Sequence, residues 1–286
     1  LETSIRLAVQ KSGRLSDKSL AIIEECGIKY SRNKVKLKAP SYNFPLELLF
    51  LRDDDIPKYV AAGVADIGIV GENVLAEKEA KVSLLERLGF SKCRLSIGIP
   101  QAVTYAGVQQ FQGKKLATSY PKLLGDFLSK HGVEADIHEI SGSVEIAPGI
   151  GLADGVCDIV SSGSTLLANG LKEVETIFRS EAVLIGNEKL SPEKEAILGQ
   201  LLFRIRAVKK AEAYKYVLMN VPNHAIEKVI SLMPGMRSPT VTPLALEGWS
   251  SIHSVLKEDD FWESIDKIKA AGAEGILVIP IEKMIV

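Results

Sequence analysis

Gly63-Val64-Ala65-Asp66-Ile67-Gly68-Ile69-Val70-Gly71-Glu72-Asn73-Val74-Leu75 aligns without a gap to Gly155-Val156-Cys157-Asp158-Ile159-Val160-Ser161-Ser162-Gly163-Ser164-Thr165-Leu166-Leu167, at a constant offset of 92 residues, from 63 to 155. Each copy reads as the end of a helix, a short apolar strand, a polar glycine loop and the start of a new helix. Strand-loop-helix units are common in α/β folds and share Gly and Ile by chance. A register held over the whole unit points instead to a duplicated lobe. Two such lobes facing each other place both glycine loops on opposite walls of one cleft, where open α/β sheets bind ligands. The sequence therefore predicts two α/β lobes with two ligands meeting between them.

On either side of the repeat, short apolar runs alternate with amphipathic stretches, the α/β pattern. Strands are expected at residues 5–9, 46–51, 67–70, 95–99, 115–118, 136–140 and 158–160, and a helix at 18–26 stopping at Gly27. After Arg179 the pattern changes. Residues 182–185 read as a strand returning to the first lobe, and Ser191 and Pro192 cap and open a helix running to about residue 210. Strand-like 214–220, helical 225–232, a turn at Pro234-Gly235, strand-like 240–244, helical 260–271 and strand-like 275–281 make a small α+β module with its own core. The predicted domains are 1–95 with 180–210, then 96–179, then 211–286.

The 35 basic and 36 acidic residues nearly balance, so no general attraction for nucleic acid or an anionic membrane is expected, and small molecules are the expected partners. Cys26, Cys93 and Cys157 are odd in number and far apart, which fits neither a disulfide framework nor a CxxC site. They read as thiols in a reducing compartment. The opening Leu1-Glu2-Thr3-Ser4-Ile5-Arg6 carries charge where an export signal needs an apolar core, and no run is long enough to span a bilayer. The expectation is a soluble, cytoplasmic protein.

The strongest chemical signal is Cys157-Asp158-Ile159-Val160 followed by Ser161, Ser162, Gly163, Ser164 and Thr165. At a helix start, unpaired N–H groups and the positive end of the dipole face the ligand, hydroxyls add donors, and glycine lets the backbone come close. A phosphate is the expected guest, with plain helix capping as the alternative. The P-loop lysine is missing, so a sugar monophosphate fits better than a nucleoside triphosphate. Upstream, Glu145 and Asp154 offer acceptors for ribose hydroxyls, although each alone also suits a solvated surface. Lys11 and Arg14 follow the first strand at the same cleft edge and suit nucleotide phosphates, or a solvated loop. The consecutive carboxylates of Arg52-Asp53-Asp54-Asp55-Ile56-Pro57 lack calcium-loop spacing and read as helix capping before Pro57. His131, His138, His224 and His253 have no metal-ligand spacing and receive no catalytic role.

Together, Ala8-Val9-Gln10-Lys11-Ser12-Gly13-Arg14-Leu15, the acidic run at 52–57, residues 66–75, Ala117-Thr118-Ser119-Tyr120-Pro121, residues 145–171, Pro234-Gly235-Met236-Arg237-Ser238-Pro239-Thr240 and Ile279-Pro280-Ile281-Glu282-Lys283-Met284 resemble the ATP phosphoribosyltransferase family. The resemblance covers essentially the whole chain, and the C-terminal module marks the long form. It implies a two-lobed fold like that of periplasmic binding proteins, a ferredoxin-like regulatory domain that binds histidine, magnesium as cofactor, and assembly from dimer to hexamer. Carried onto matching positions, Ser161, Ser162, Gly163, Ser164 and Thr165 would hold the 5-phosphate of phosphoribosyl pyrophosphate, with Glu145 and Asp154 near the ribose. Lys11, Arg14, Asp66 and Gly71 would face ATP or the pyrophosphate. Asn220, Met236, Ser238, Thr240, Val255 and Gly275 would surround the histidine effector.

The implied reaction joins N1 of ATP to the ribose anomeric carbon with inversion, at the start of histidine biosynthesis and under histidine feedback. N1 carries its lone pair unprotonated at neutral pH, so no general base is required. That agrees with the lack of a histidine or cysteine constellation. Magnesium is expected on substrate oxygens and water rather than in a protein cage. The alternative from another class is a solute-binding or sensing protein, because a bilobal fold serves both roles.

Overall fold

The run Ile5–Gln10 forms β1, whose Ile5, Leu7, Ala8 and Val9 are fully buried, as expected for a central parallel strand covered on both faces. The computed structural model describes residues 3–31, 37–233, 235 and 238–285. They divide into two compact units, 1–21 with 28–198 and 22–27 with 199–286.

In the first lobe, β1 leads into α1 (Arg14–Glu25), then β2 (Lys38–Pro40), β3 (Leu46–Leu51), α2 (Ile56–Ala61), β4 (Ile67–Gly71), α3 (Glu72–Lys78) and β5 (Ser83–Arg87). The chain crosses to β6 (Cys93–Pro100), β7 (Lys115–Thr118), α4 (Pro121–Lys130), β8 (Asp136–Glu139), β9 (Gly155–Val160), α5 (Ser164–Ala168) and β10 (Leu171–Ser180). It then returns through β11 (Ala182–Gly186) into α6 (Pro192–Glu212). The described strands form one sheet in the order β2-β3-β1-β4-β11-β5 and a second in the order β10-β6-β9-β7-β8.

The duplication holds in the topology. In the first sheet β3, β1 and β4 run parallel and β11 is antiparallel beside β4. In the second, β8, β7 and β9 run parallel and β6 is antiparallel beside β9. Thus β4 and β9, the two halves of the repeat, occupy equivalent places, and Gly71 and Gly163 are both helix N-caps. The copies differ at the loop. β4 ends at Gly71 and α3 begins at Glu72, so the first lobe has no separate glycine loop, whereas residues 161–163 separate β9 from α5. The loop expected on both walls exists on one.

The second unit continues with β12 (Tyr214–Pro222), α7 (Ile226–Leu232), β13 (Thr240–Pro243), β14 (Trp249–Lys257), α8 (Glu258–Ala270) and β15 (Glu274–Pro280). Its sheet order β13-β14-β12-β15, antiparallel throughout, is the ferredoxin-like arrangement of a βαββαβ chain. Val217, Met219, Val221, Ile252 and Leu256 face the helices and form its core. The sequence pattern had no strand at 249–257, because buried Ser250, Ser251 and Ser254 hide its apolar alternation.

One helix boundary also moves. α1 opens at Arg14 rather than 18, its first turn closed by Asp17 N–H to Gly13 O. The second compact unit takes in the C-terminal half of α6, from residue 199. The C-terminal half of α6 belongs with residues 22–27 and the chain end, through Arg204 to the Cys26 carbonyl and Met284 N–H to the Ala207 carbonyl. Among the described residues, no helix is long and apolar enough to cross a membrane.

Candidate functional site

Parallel strands deliver their C-terminal ends to one edge of a sheet, and here both sheets point those ends at one cleft. Gln10 at the end of β1, Asp53 after β3 and Gly71 at the end of β4 form one wall. Tyr120 after β7 and Ser161 after β9 form the other. The cavity between them holds about 390 Å³. Ser91, Lys92, Cys93 and Ser180 line it where the chain crosses between the lobes.

On the second wall, the loop 161–163 leads into α5 with Ser161, Ser162, Ser164 and Thr165 exposed. The cap position is Gly163, with φ +85°, a left-handed conformation costly for other residues. A side chain there would have room, its Cβ lying 3.9 Å from Val160, so conformation rather than crowding requires glycine. Glycine at the cap makes no side-chain bond, while Ser162 Oγ reaches Ser164 Oγ at 2.9 Å and accepts the Ser164 N–H at 3.5 Å. Arg94 Nη1 donates to the Ser161 carbonyl at 3.2 Å and steadies the loop from below.

The two upstream carboxylates separate. Glu145, in the turn Val144–Ile146, lies near enough to Asp158 for its charge to add to burial in raising the Asp158 carboxyl above its ordinary value of 3.8. Asp154 does not join them. Its carboxylate accepts the Lys115 N–H at 2.9 Å and pairs with Lys114, at the start of β7 and β9. The length of β9, about 20 Å, lies between it and the loop. The carboxylate beside the cradle is thus Asp158, which sequence reasoning quoted without a role. Its signal was position near the C-terminal end of a parallel strand.

Asp66, the repeat partner of Asp158, is likewise remote. It sits before β4, almost fully buried, accepting the Arg6 N–H at 2.7 Å and pairing with Lys194 Nζ at 2.8 Å. This is a structural ion pair at the edge opposite Gly71. The repeat aligns by helix start, and β9 begins four residues earlier in that frame than β4, so aligned aspartates fall at opposite strand ends.

On the first wall, Arg14 opens α1 and lines the cavity with Lys18 one turn later, a cation missed from the sequence although i,i+4 spacing places both on one helix face. Lys11 is exposed in the turn before α1. Gly71 lines the cavity, and a side chain there would overlap the Asn73 amide oxygen. Asp53–Asp55 form a turn of 3-10 helix running into α2, and Asp55, itself helical in conformation, makes no side-chain cap bond. The expected capping by this run is not realised. Instead Asp53 lines the cleft with its carboxyl raised, by burial first and by Asp54 second.

The floor was also missed. Asn73 N–H donates to Ser180 Oγ at 3.0 Å, Ser180 returns its proton to Asn73 Oδ1 at 2.8 Å, and Asn73 Nδ2 donates to Tyr120 Oη at 2.9 Å. Burial foremost, with Asp158, Asp53 and Asp54 adding, holds the Tyr120 phenol well above its usual range, so it stays a proton donor. Among the described residues, no three His, Cys, Asp or Glu side chains are grouped to hold a metal. Asp53 is the carboxylate that lines the cavity among the described residues.

In the second unit, Asn220, Thr240, Val255 and Gly275 lie on four neighbouring strands. A Cβ at Gly275 would stand 3.1 Å from Asn220 Nδ2, and Thr240 pairs in register with His253, two residues from Val255. Asn220 pairs instead with Ser251, four residues along β14 from Val255, so these positions spread across the sheet face. Ser238 is exposed before β13, and Met236 lies outside the described residues. His253 bonds Tyr216 Oη at 2.8 Å and Ser251 Oγ at 3.1 Å, a chain that carried no sequence signal.

Comparison with known proteins follows the same division. Residues 52–207 match the ATP phosphoribosyltransferase family profile, and residues 211–283 match the profile described as "HisG, C-terminal domain". An ATP phosphoribosyltransferase of Cytophaga hutchinsonii is 62% identical over 285 residues, all of both chains. One of Phocaeicola vulgatus is 60% identical over 98% of this chain and 99% of its own. Among solved structures, the ATP phosphoribosyl transferase (HisG:HisZ) complex from Thermotoga maritima matches with a TM-score of 0.63 at 26% identity, over 72% of this chain and 98% of that one.

Proposed function

The chain belongs to the ATP phosphoribosyltransferase family, in its long form, and from that membership we propose that its cleft moves the phosphoribosyl group of phosphoribosyl pyrophosphate onto N1 of ATP and releases pyrophosphate. The observation that carries this is the pairing of a hydroxyl-rich, glycine-capped helix start on one wall with Arg14 and Lys18 on the other, across one cavity. That pairing suits two anionic substrates held face to face.

In this reading the loop 161–165 takes the 5-phosphate through backbone N–H groups and hydroxyls. Asp158, with Glu145 beside it, accepts the ribose hydroxyls in place of the remote Asp154, and Asp66 leaves the list of substrate contacts. Arg14, Lys18 and Lys11 take the nucleotide and pyrophosphate oxygens. Asp53, the carboxylate lining the cavity, would be the side chain nearest a bound magnesium ion, which would supply neutralisation of the leaving charge. The lone pair of N1 attacks the anomeric carbon, the bond to the pyrophosphate oxygen breaks with its electron pair, and configuration inverts. No proton is moved to make the nucleophile, so the chain's contribution is orientation and electrostatic stabilisation of positive charge at the sugar by Asp158 and Glu145.

The second unit is the regulatory part in this reading. Histidine binds on its sheet, at Asn220, Ser238, Thr240, Val255 and Gly275, and with Met236, and favours an assembly, dimer to hexamer, whose cleft is less active. Phosphorus NMR tests the chemistry: pyrophosphate release requiring both substrates, with a β-linked product, supports it, and hydrolysis of phosphoribosyl pyrophosphate without ATP contradicts it.

A further inference from the structure

The second lobe cannot finish its own helix. α4 starts behind Tyr120, whose side chain makes no cap bond, and Pro121 at its first position has no N–H. The Leu124 N–H is met by the Tyr120 carbonyl at 3.1 Å, leaving the Lys122 and Leu123 amides to be satisfied from elsewhere. Both are taken by one side chain of the other lobe. Glu77 of α3 accepts Lys122 N–H at 2.9 Å through Oε1 and Leu123 N–H at 3.0 Å through Oε2. Lys122 Nζ pairs back to Glu79 at the end of α3, at 3.2 Å.

Asn73 stands one helical turn before Glu77, on the same face of α3. That face therefore grips the first turn of α4 at two points, Asn73 on the Tyr120 hydroxyl and Glu77 on the two amides that follow it. The double carboxylate-to-amide bond is charge-assisted and directional, so it sets both the distance and the angle of the contact. Transfer between substrates bound to separate walls depends on that setting, since a misplacement of about 1 Å is enough to cost about 100-fold in rate.

We propose that Glu77 is a positioning residue for the reaction: by capping α4 across the cleft it fixes the Tyr120 hydroxyl on the cavity floor and holds the two substrate walls in register. It touches no substrate, and its effect passes through α4 and Tyr120. For its kinetic consequence this rests on the phosphoribosyl-transfer reading above. The capping itself is measured without substrate, so the two fail separately.

The test compares Glu77→Ala, Glu77→Gln, Tyr120→Phe and Glu77→Ala with Tyr120→Phe in the full chain. Amide hydrogen exchange should be faster at Lys122 and Leu123 in Glu77→Ala and unaltered there in Tyr120→Phe. kcat should fall about 10- to 100-fold in Glu77→Ala, while calorimetric affinity for phosphoribosyl pyrophosphate stays within about threefold, because the loop 161–165 is untouched. Glu77→Gln, whose amide oxygen still accepts from one N–H, should fall between Ala and the parent. The double variant should lose no more than the worse single one, since both changes act on one element. Multiplying losses in the double variant, an unchanged kcat in Glu77→Ala, or unchanged exchange at both amides would overturn the proposal. If Glu77→Ala does not fold, Glu77→Gln replaces it in every comparison and the same outcomes decide.

Discussion

Asn73 and Tyr120 are joined at 2.9 Å by a side-chain hydrogen bond that crosses from one lobe to the other beneath the cavity. Ser180 completes the link by exchanging two bonds with Asn73, so one asparagine ties together a first-lobe helix, a second-lobe aromatic and the end of β10, where the chain turns back to the first lobe. Asn73→Asp keeps the oxygen that accepts from Ser180 and loses the N–H given to Tyr120. Asn73→Ala loses both. The expected order of stability is parent, then Asp, then Ala, with a cost of about 1–3 kcal/mol for Ala from the buried groups left unpaired. Denaturant unfolding measures it, and equal costs for the two variants would mean that the bond from Ser180 to the Asn73 side-chain oxygen contributes nothing.

Gly163 separates conformation from crowding. Its φ of +85° disfavours any side chain, yet the space around it is open. Gly163→Ala should weaken binding of phosphoribosyl pyrophosphate by about 1–2 kcal/mol, roughly 5- to 30-fold, whereas Gly163→Asn should bind more tightly than Ala because asparagine visits the left-handed region more readily. Thr165→Ala combined with Gly163→Val should be weaker still. Titration calorimetry ranks them, and Ala binding as well as the parent would remove the loop from the phosphate site.

Asp158 and Asp154 give opposite expectations. Asp158→Asn should lower kcat/KM about 10- to 100-fold, the worth of hydrogen bonds to a charged acceptor. Asp154→Asn should leave it nearly unchanged and cost at most about 1 kcal/mol of stability from an exposed pair. Stability against pH adds a second check. Burial and then Glu145 raise the folded carboxyl of Asp158 above 3.8, so its favourable contribution is complete below that pH and is lost as pH rises through the raised value. At pH 7 the ionised group opposes folding of the free protein. Asp158→Asn should therefore melt higher than the parent at pH 7 and lose that advantage near pH 4, and a lower Tm at pH 7 would contradict the burial argument.

What could be read from sequence follows burial and locality. β1, β3 and β11 are buried apolar runs and stood out as strands. β10 did not, because register shifts between Glu173 and Glu175 and between Thr176 and Phe178 break its alternation. At the site, the loop 161–165 was legible because its signal is contiguous. The Glu77 cap was not, since donor and acceptor lie 45 residues apart in the chain. Asp154 and Asp158 are four residues apart and of the same residue type, and only the extent of β9 tells which one reaches the cleft.

The proposed regulatory role of the second unit is open to test by substitution and by truncation. Ser238→Ala with Thr240→Val should raise the histidine concentration needed for half-inhibition about 10- to 100-fold by removing two hydrogen bonds, with activity in the absence of histidine unchanged. Deleting residues after 210 should remove histidine sensitivity but also lower Tm, because the second half of α6 loses its bond from Met284 to the Ala207 carbonyl. Histidine binding the double variant as tightly as the parent, by calorimetry, would place the effector elsewhere.

The central claim is that this cleft joins two substrates rather than holding one. Near-ultraviolet absorbance follows it directly, because substitution at N1 changes the adenine chromophore. With ATP, phosphoribosyl pyrophosphate and magnesium present, the account predicts a steady rise at catalytic enzyme concentration that stops when any one of the three is withheld. A folded protein that binds both substrates by calorimetry and yields no absorbance change would contradict it and return the fold to the solute-binding class.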